Sequence, residues 1–440
     1  MQNSVLKEAI AGVLNSGTPS QFSMELEFIS ASDPSYAYVP LRIDGLHINQ
    51  NSVKNYSDDM VVQFMISAAD YANMYDHLQD LHVVVTLAFH DALCKRLMKV
   101  PPIVVQYRAA IVDPKDIRKE MVDAHLRTEV DRSVKVRLID DAVYTARSVP
   151  INTIYRTATV TDAIHHASNA FGITDITMET ADNLHVYDHI LVPPMKKFSN
   201  FYSWLQHEYG VYLCGMVHYY TNGHLYVYAP FNMLPTTTTT LSVFQAEQGS
   251  VGGATCTSAL SDTLIEVVTD TVHTVTDNTA YGAENVGTSM TFLRSSQLQD
   301  GVVDYDVVNG AKFKDDVVLT IGLAKTPTLT SGVDRPRYAA ATDNVFALSS
   351  AMTEHQSTTM IVEWTTAVPF TLRPGLAVHY YSDQKGALLK RLGILECVDL
   401  IIIRVDRSAG GISASQEIFK ASAKLQIRLQ PEGVISSTVT

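Results

Sequence analysis

Apolar and polar positions along the chain follow two periods, and the change between them divides it. Over residues 4–17, Val5, Leu6, Ala9, Ile10, Val13 and Leu14 recur at helical spacing and Gly17 is placed to stop the helix. From there to about residue 150 the period is two. The runs "QFSMELEFIS" (21–30), "VPLRIDGLHI" (39–48), "DMVVQFMI" (59–66), "LHVVVTLAF" (81–89) and "IVVQYRAAIV" (103–112) read as strands, broken by turns such as the one at Pro34. In "SVKVRLID" (133–140), Val134, Val136 and Leu138 alternate with basic residues, as expected of a half-buried strand. Asp70-Tyr71 opens a short helical connection between two of these runs. The block therefore predicts one mostly antiparallel sheet or barrel.

The texture changes near residue 155. "TVTDAIHHASNAFG" (159–172) predicts a helix with Thr161 as cap, Ala163, Ile164 and Ala167 on one face and Gly172 as stop. "PPMKKFSNFYSWLQHEYG" (193–210) repeats that design, with Ser199 as cap, Phe201, Trp204 and Leu205 on one face and Gly210 as stop. A hairpin follows in "YTNGHLYVYAPFN" (220–232), because Asn222-Gly223 suits the two positive-φ positions of a type I′ turn. Pairing about that turn sets Thr221 opposite His224, Tyr220 opposite Leu225, Tyr219 opposite Tyr226, His218 opposite Val227 and Val217 opposite Tyr228. One face then carries Met216, His218, Tyr220, Leu225 and Val227, apolar enough to bury against the Phe201/Trp204/Leu205 helix. The other carries Val217, Tyr219, Thr221, His224, Tyr226 and Tyr228, a tyrosine-lined face suited to sheet stabilisation, protein contact or stacking of a small ligand.

Pro235 and Thr236 to Thr240 mark the next boundary as an extended connection. Beyond it the strand-like runs resume in "TLIEVVTDTVHTVT", "DVVLTIGLA", "MIVEWTTAVPF", "LAVHYYS", "DLIIIRVD" and "AKLQIRLQ", with turns at Asn309-Gly310 and Pro374-Gly375. Residues 280–360, rich in Thr, Ser, Asp and Gly, are poorly patterned and read as long loops or a small inserted subdomain.

Composition narrows the function. The 33 basic and 46 acidic residues give a net charge of −13, which disfavours a protein whose task is to grip phosphates. Cys94, Cys214, Cys256 and Cys397 are scattered, with no CxxC pair, and fit small buried hydrophobes in a reducing cytoplasm. The longest apolar runs, such as residues 83–89, have strand length rather than membrane-span length, and the N-terminal helix is interrupted by Lys7 and Glu8 as a signal core would not be. These features predict a soluble chain without a targeting signal.

A search for chemistry returns little. The chain contains no GxGxxG, P-loop or GxSxG elbow, and the glycines of "GSVGGATC" lead into a Thr-rich run rather than a helix that could present amides. "HEYG" (207–210) lacks the second histidine of a zinc helix, and His165-His166 point about 100° apart on a helix. Asp304 and Asp306 fit the first positions of a calcium loop, but the later ligands are out of place. The charged stretch 115–132 fits a solvated loop or surface helix better than a carboxylate cluster. No catalytic residue, metal or cofactor is assigned.

In order and spacing, "TVTDAIHHASNAFGI" followed by "ILVPPMKKFSNFYSWLQHEYGVYLCGMVHYYTNGHLYVYAPFN" resembles the central module of tail hub (baseplate hub) proteins of contractile-tailed bacteriophages. The flanking runs 58–89 and 133–156 are similar to a first tube-type barrel and its exit, and "PFTLRPGLAVHYY" with "LLKRLGILECVDLIIIRVD" to a second. The resemblance implies a mostly β fold with a smaller α/β module: a helix over 1–18, a barrel over 19–153, the α/β hub module over 154–235 and a second barrel over 236–440 carrying the 280–360 insert. It also implies a non-enzymatic homotrimer in the virion, assembled in the host cytoplasm, that adapts a sixfold tail tube to a threefold spike. Its partners would be itself, the tube and spike proteins, the tape-measure protein and baseplate wedge proteins. DNA would pass along the axis unbound, past a surface whose acidity repels phosphates. Tyr219, Asn222, Gly223, Tyr226, Tyr228 and Trp204 are the candidate structural or interface residues of the hub hairpin. The alternatives are another β-rich tail component, a secretion-spike hub, or a glycan-binding or glycan-cleaving tail enzyme with a carboxylate pair about 5–9.5 Å apart in a cleft.

Overall fold

The computed structural model describes residues 4–16, 21–33, 35–53, 56–77, 80–90, 102–111, 131–193, 196–212, 215–230, 240–247, 258–260, 264–270, 272–276, 358–384, 386–405 and 417–429. The readings placed on residues 115–130, on Asp304 and Asp306, on Asn309-Gly310, on Cys94, Cys214 and Cys256, on the glycines of 249–253 and on the 280–357 segment lie outside these residues.

The period-two runs become strands. The first segment supplies β1 (Gln21–Ser30), the short β2 (Ala37–Tyr38), β3 (Arg42–Asn51), β4 (Asp59–Ile66), β5 (Leu81–His90), β6 (Ile103–Ile111) and β7 (Arg132–Ile139). In β4, Met60, Val62, Phe64 and Ile66 are fully buried while the residues between them are half-exposed, so the alternation legible in sequence is the alternation of wall and interior. β3 runs three residues later than the pattern predicted. The connection after β4 is helix α2 (Ala68–Asp76), with the Ser67 hydroxyl accepting from the Asp70 amide at 3.1 Å.

The C-terminal segment adds β19 (Thr358–Trp364), β20 (Ala377–Gln384), β21 (Ala387–Arg404) and β22 (Phe419–Leu429), after β15 (Thr240–Gln245), β16 (Ser258–Leu260), β17 (Leu264–Thr269) and β18 (Val272–Thr276). Two of these strands close the first ring. β3 pairs with β21 from Gly45↔Ile403 to Asn51↔Cys397, β21 pairs with β22, and β22 meets β1 at Phe22↔Phe419. The circuit β1-β5-β6-β7-β4-β3-β21-β22 is antiparallel at every step. Eight strands make a barrel whose interior is just filled by side chains, and Phe22, Phe28, Phe64, Val85, Leu138, Ile402 and Phe419 fill this one.

β21 and β22 also belong to a second sheet, ordered β16-β17-β15-β20-β21-β22-β19-β18, in which β15 runs parallel to both β17 and β20. The eighteen residues of β21 make this sharing feasible: its first half pairs with β20 and its second half with β3, with a bulge between Leu395 and Cys397 at the change of partner. One apolar core runs through both sheets. Helix α1 (Ser4–Ser16) lies on the second sheet with Leu6 and Ile10 buried against Phe244, Ala246 and Val268. The fold is thus mostly β, and its two sheets are joined through common strands, which the sequence pattern did not reveal.

Between them in sequence lies the α/β module, with a core of its own. It contains α3 (Asp141–Ser148), β8 (Pro150–Ile151), β9 (Ile154–Ala158), α4 (Val160–Ala170), β10 (Asp175–Met178), β11 (Tyr187–Leu191), β12 (Lys196–Lys197), α5 (Phe201–Glu208), β13 (Val217–Thr221) and β14 (His224–Tyr228). Helix α3 was not anticipated; Asp140 caps it by accepting from the Ala142 amide at 2.9 Å. Two predicted caps shift. Thr159, not Thr161, caps α4 in a reciprocal capping box with Asp162, while Thr161 lies inside the helix. Ser199 sits in a 3₁₀ turn leading into α5, where Asn200 takes the cap position without a side-chain bond.

Candidate functional site

Five of the six predicted site residues, Tyr219, Asn222, Gly223, Tyr226 and Tyr228, lie in the hairpin, where it meets the barrel and the second sheet. β13 and β14 pair in the register expected from the Asn222-Gly223 turn, Val217↔Tyr228 to Thr221↔His224, with φ of 50° at Asn222 and 78° at Gly223. β10 adds a parallel third strand along β14, and His224 joins it through the Thr177 hydroxyl (2.7 Å) and the Asp175 carboxylate (2.8 Å). Trp204 lies in the module core, its ring meeting Phe201 and Tyr209.

The face carrying His218, Tyr220, Leu225 and Val227 is buried against the module's helices. His218 packs against Tyr202 with ring centres 4.9 Å apart and tilted by 36°, and burial pushes its pKa down to about 4, so the ring is neutral at physiological pH. The helix end beneath is held by buried Gln206, whose side chain accepts from the Val211 and Tyr212 amides and donates to the Tyr212 carbonyl.

The opposite, tyrosine-lined face is not open. Tyr219 and Tyr228 are 0% exposed and Thr221 only 7%, because this face packs onto the barrel and the second sheet of the same chain. A stacking platform for a free ligand therefore has no exposed Tyr219 or Tyr228 to offer. Asp58, buried before β4, accepts from the Tyr219 hydroxyl, the Thr221 hydroxyl and the Gln50 amide, each at 2.8 Å. The Tyr220 hydroxyl donates to Asp140 on the other side of the strand, and the Tyr220 amide to the Tyr56 carbonyl at 2.7 Å. At the turn, Tyr107 of the barrel interior donates to Asn222 at 3.3 Å.

Further along, the loop 365–376 clasps the hairpin. The Arg373 guanidinium lies 3.5 Å above the centre of the Tyr226 ring. Tyr228 packs against Ile394 and its ring lies on Gly375, which has φ of 91°. The Tyr228 hydroxyl is buried without a hydrogen-bond partner among the described residues. Beneath it, Glu396 at the β21 bulge is 4% exposed and bonds Arg428 and Gln426 of β22.

Sequence reasoning did not find Asp58, Asp140, Arg373 or Glu396. Their partners lie far off in the chain, as Asp58 and Tyr219 do at a separation of 161 residues. The two carboxylates brought together here are engaged, Asp58 by three donors and Asp140 as a helix cap, and both lie under the hairpin rather than in a cleft. Among the described residues no group of three His, Cys, Asp or Glu side chains is placed to hold a metal ion. No described helix is long and apolar enough to cross a membrane. The geometry is that of a structural joint.

Comparison with known proteins finds the following similarities. Residues 103–315 match the family described as Bacteriophage PBS1 gene 109 protein. Among solved structures, the tail protein from Neisseria meningitidis MC58 aligns at 11% identity and a TM-score of 0.48, over 94% of this chain and 98% of that one. The 43 kDa tail protein of prophage MuSo2 from Shewanella oneidensis aligns at 9% identity and 0.44, over 92% and 97%. The E. coli c3393 protein, a type VI secretion component described as similar to the T4 tail proteins gp27 and gp5, aligns at 10% and 0.40, over 87% and 73%. No curated protein sequence matches. The chain is similar to phage tail and baseplate proteins, as its sequence resemblance implied.

Proposed function

We propose that this chain is the structural hub of a phage tail baseplate, a homotrimeric ring that adapts the sixfold tail tube to a threefold spike. The coarser part of that reading, a structural component of a phage tail or of a related secretion spike, is supported by the bacteriophage family match over residues 103–315. The observation that carries the finer part is the sharing of β21 and β22 between two sheets. A chain built this way holds two β units in a fixed mutual orientation, so three copies would offer six such units on a threefold axis. The sequence limits at 18, 153 and 235 are kept as a proposed division into helix, first barrel, module and second barrel, with α3 and β8 packing into the module core and β21 and β22 closing the first barrel. The hairpin residues Tyr219, Asn222, Gly223, Tyr226 and Tyr228 are assigned to holding the module on the barrel and the second sheet, with Trp204 packing the module core behind them. No catalytic activity is assigned, and the partners are the chain itself and the tube, spike, tape-measure and wedge proteins.

Light scattering on the purified chain, with negative-stain imaging of the same fraction, tests the assembly. The expected result is a particle of three times the 48.4 kDa chain mass showing a threefold ring around a channel. A monomer at all accessible concentrations, or a ring of another symmetry, overturns the hub reading.

A further inference from the structure

The joint between module and barrel has an unusual polar composition. Three consecutive residues of β13 reach two carboxylates: Tyr219 and Thr221 donate to Asp58, and Tyr220 donates to Asp140. Asp58 is 5% exposed, and its third donor is the neutral amide of Gln50. Among the described residues neither carboxylate has a Lys, Arg or His within ion-pair distance. The titratable groups facing Asp58 are Tyr219 from β13, Tyr107 from β6, Asp140 at the end of β7 and, through Tyr219, Cys397 from β21. None of these supplies positive charge. His218 lies on the opposite face of β13, in the module core.

We propose that the hairpin and barrel form a proton-set latch, firmest when Asp58 is protonated and loosened when Asp58 is ionised. The barrel and the module each have an apolar core, bridged at Tyr56, Ile139 and the Tyr228–Ile394 contact, and the Asp58 hydrogen bonds form the polar part of the joint, where the hairpin opens locally. Ionised Asp58 must be desolvated in that plane beside a second acid, with hydroxyl and amide donors but no cation to offset it. Water solvates the same carboxylate freely once the hairpin lifts. Burial, the leading cause, raises the Asp58 pKa, while the three hydrogen bonds offset only part of the rise. A carboxyl raised in the docked state contributes its full stability below the ordinary Asp value of about 4. That contribution is lost as pH rises to the docked pKa, by up to about tenfold in the docking equilibrium per pH unit. The inference concerns a single chain and does not depend on the assembly proposed above.

The Tyr220 amide, which donates across the joint to Tyr56, reports docking directly. Its exchange protection, corrected for intrinsic rate and resolved by fragmentation mass spectrometry, is compared at pH 5 and pH 8 with the β5 amides as internal control. The expected result is a loss of Tyr220 protection at pH 8 relative to pH 5 in the wild type, with β5 unchanged, and no such loss in Asp58→Asn. A pH-independent Tyr220 amide overturns the latch, and so does an equal fall in Asp58→Asn. Should Asp58→Asn fail to fold, Tyr219→Phe decides. Removing one donor to the ionised form must enlarge the fall, and an equal or smaller fall overturns the proposal.

Discussion

Replacing Gly375 with alanine tests the clasp on the hairpin at its tightest point. The added Cβ would lie 2.6 Å from Cε1 of Tyr228 and nearer still to Cζ and the hydroxyl. Tyr228 is fully buried against Ile394, so its ring has no free volume into which to retreat. Overpacking of this kind costs about 1–3 kcal/mol. The backbone adds its own term, since φ at Gly375 is 91° and a Cβ in the left-handed region costs about 1–2 kcal/mol. The total is about 2–5 kcal/mol. Gly172 separates the two terms within one protein: its φ is 79°, yet nothing lies within 4 Å of a Cβ placed there. Gly172→Ala should therefore cost only the backbone term. Urea unfolding followed by tryptophan fluorescence, with proteolysis of the hairpin as a local readout, compares the two variants. In a Tyr228→Ala background, Gly375→Ala should fall to the cost of Gly172→Ala. Equal destabilisation by the two glycine replacements in the wild-type background would refute the reasoning.

Two further expectations concern the same hairpin. Tyr228→Phe removes a buried hydroxyl that has no partner among the described residues, so stability should be unchanged or rise by up to about 1 kcal/mol; a loss larger than that, measured by the same unfolding assay, means the hydroxyl is bonded after all. His218 has its pKa lowered to about 4 by burial, so the folded state favours the neutral ring; its contribution is complete above the unfolded value of about 6.5 and is lost as pH falls toward 4, by about 3 kcal/mol in all. His218→Phe should move the acid unfolding midpoint of the module, followed by near-ultraviolet circular dichroism, to lower pH, and an unmoved midpoint refutes the assignment. This effect has the opposite sign to that of Asp58, so the two are separable by direction alone.

Much of the local structure was legible before any coordinates. The alternation of β4 and β5 marked their inward faces, and Asn222-Gly223 specified the turn and hence the register of ten residues around it. The cap of α4 was legible too, since Thr159 and Asp162 stand at capping-box spacing; choosing Thr161 overlooked that relation. Helix α3 escaped because "DAVYTARS" is only eight residues long, so that the Asp140 cap and the packing of Val143 and Ala146 decide it.

What the sequence by itself determined is therefore periodicity and turn chemistry, which depend on residues within a few positions of one another. It could say that the hairpin had two faces and which side chains each carried. Only the tertiary structure decided that most of both faces is buried, that Asp58 and Arg373 meet the tyrosines from 161 and about 150 residues away, and that β21 serves two sheets. Those pairings are chosen by burial and hydrogen-bond satisfaction across the whole chain, where many strands of similar pattern compete for the same partners. Nothing in a local run of alternating residues distinguishes one distant edge from another.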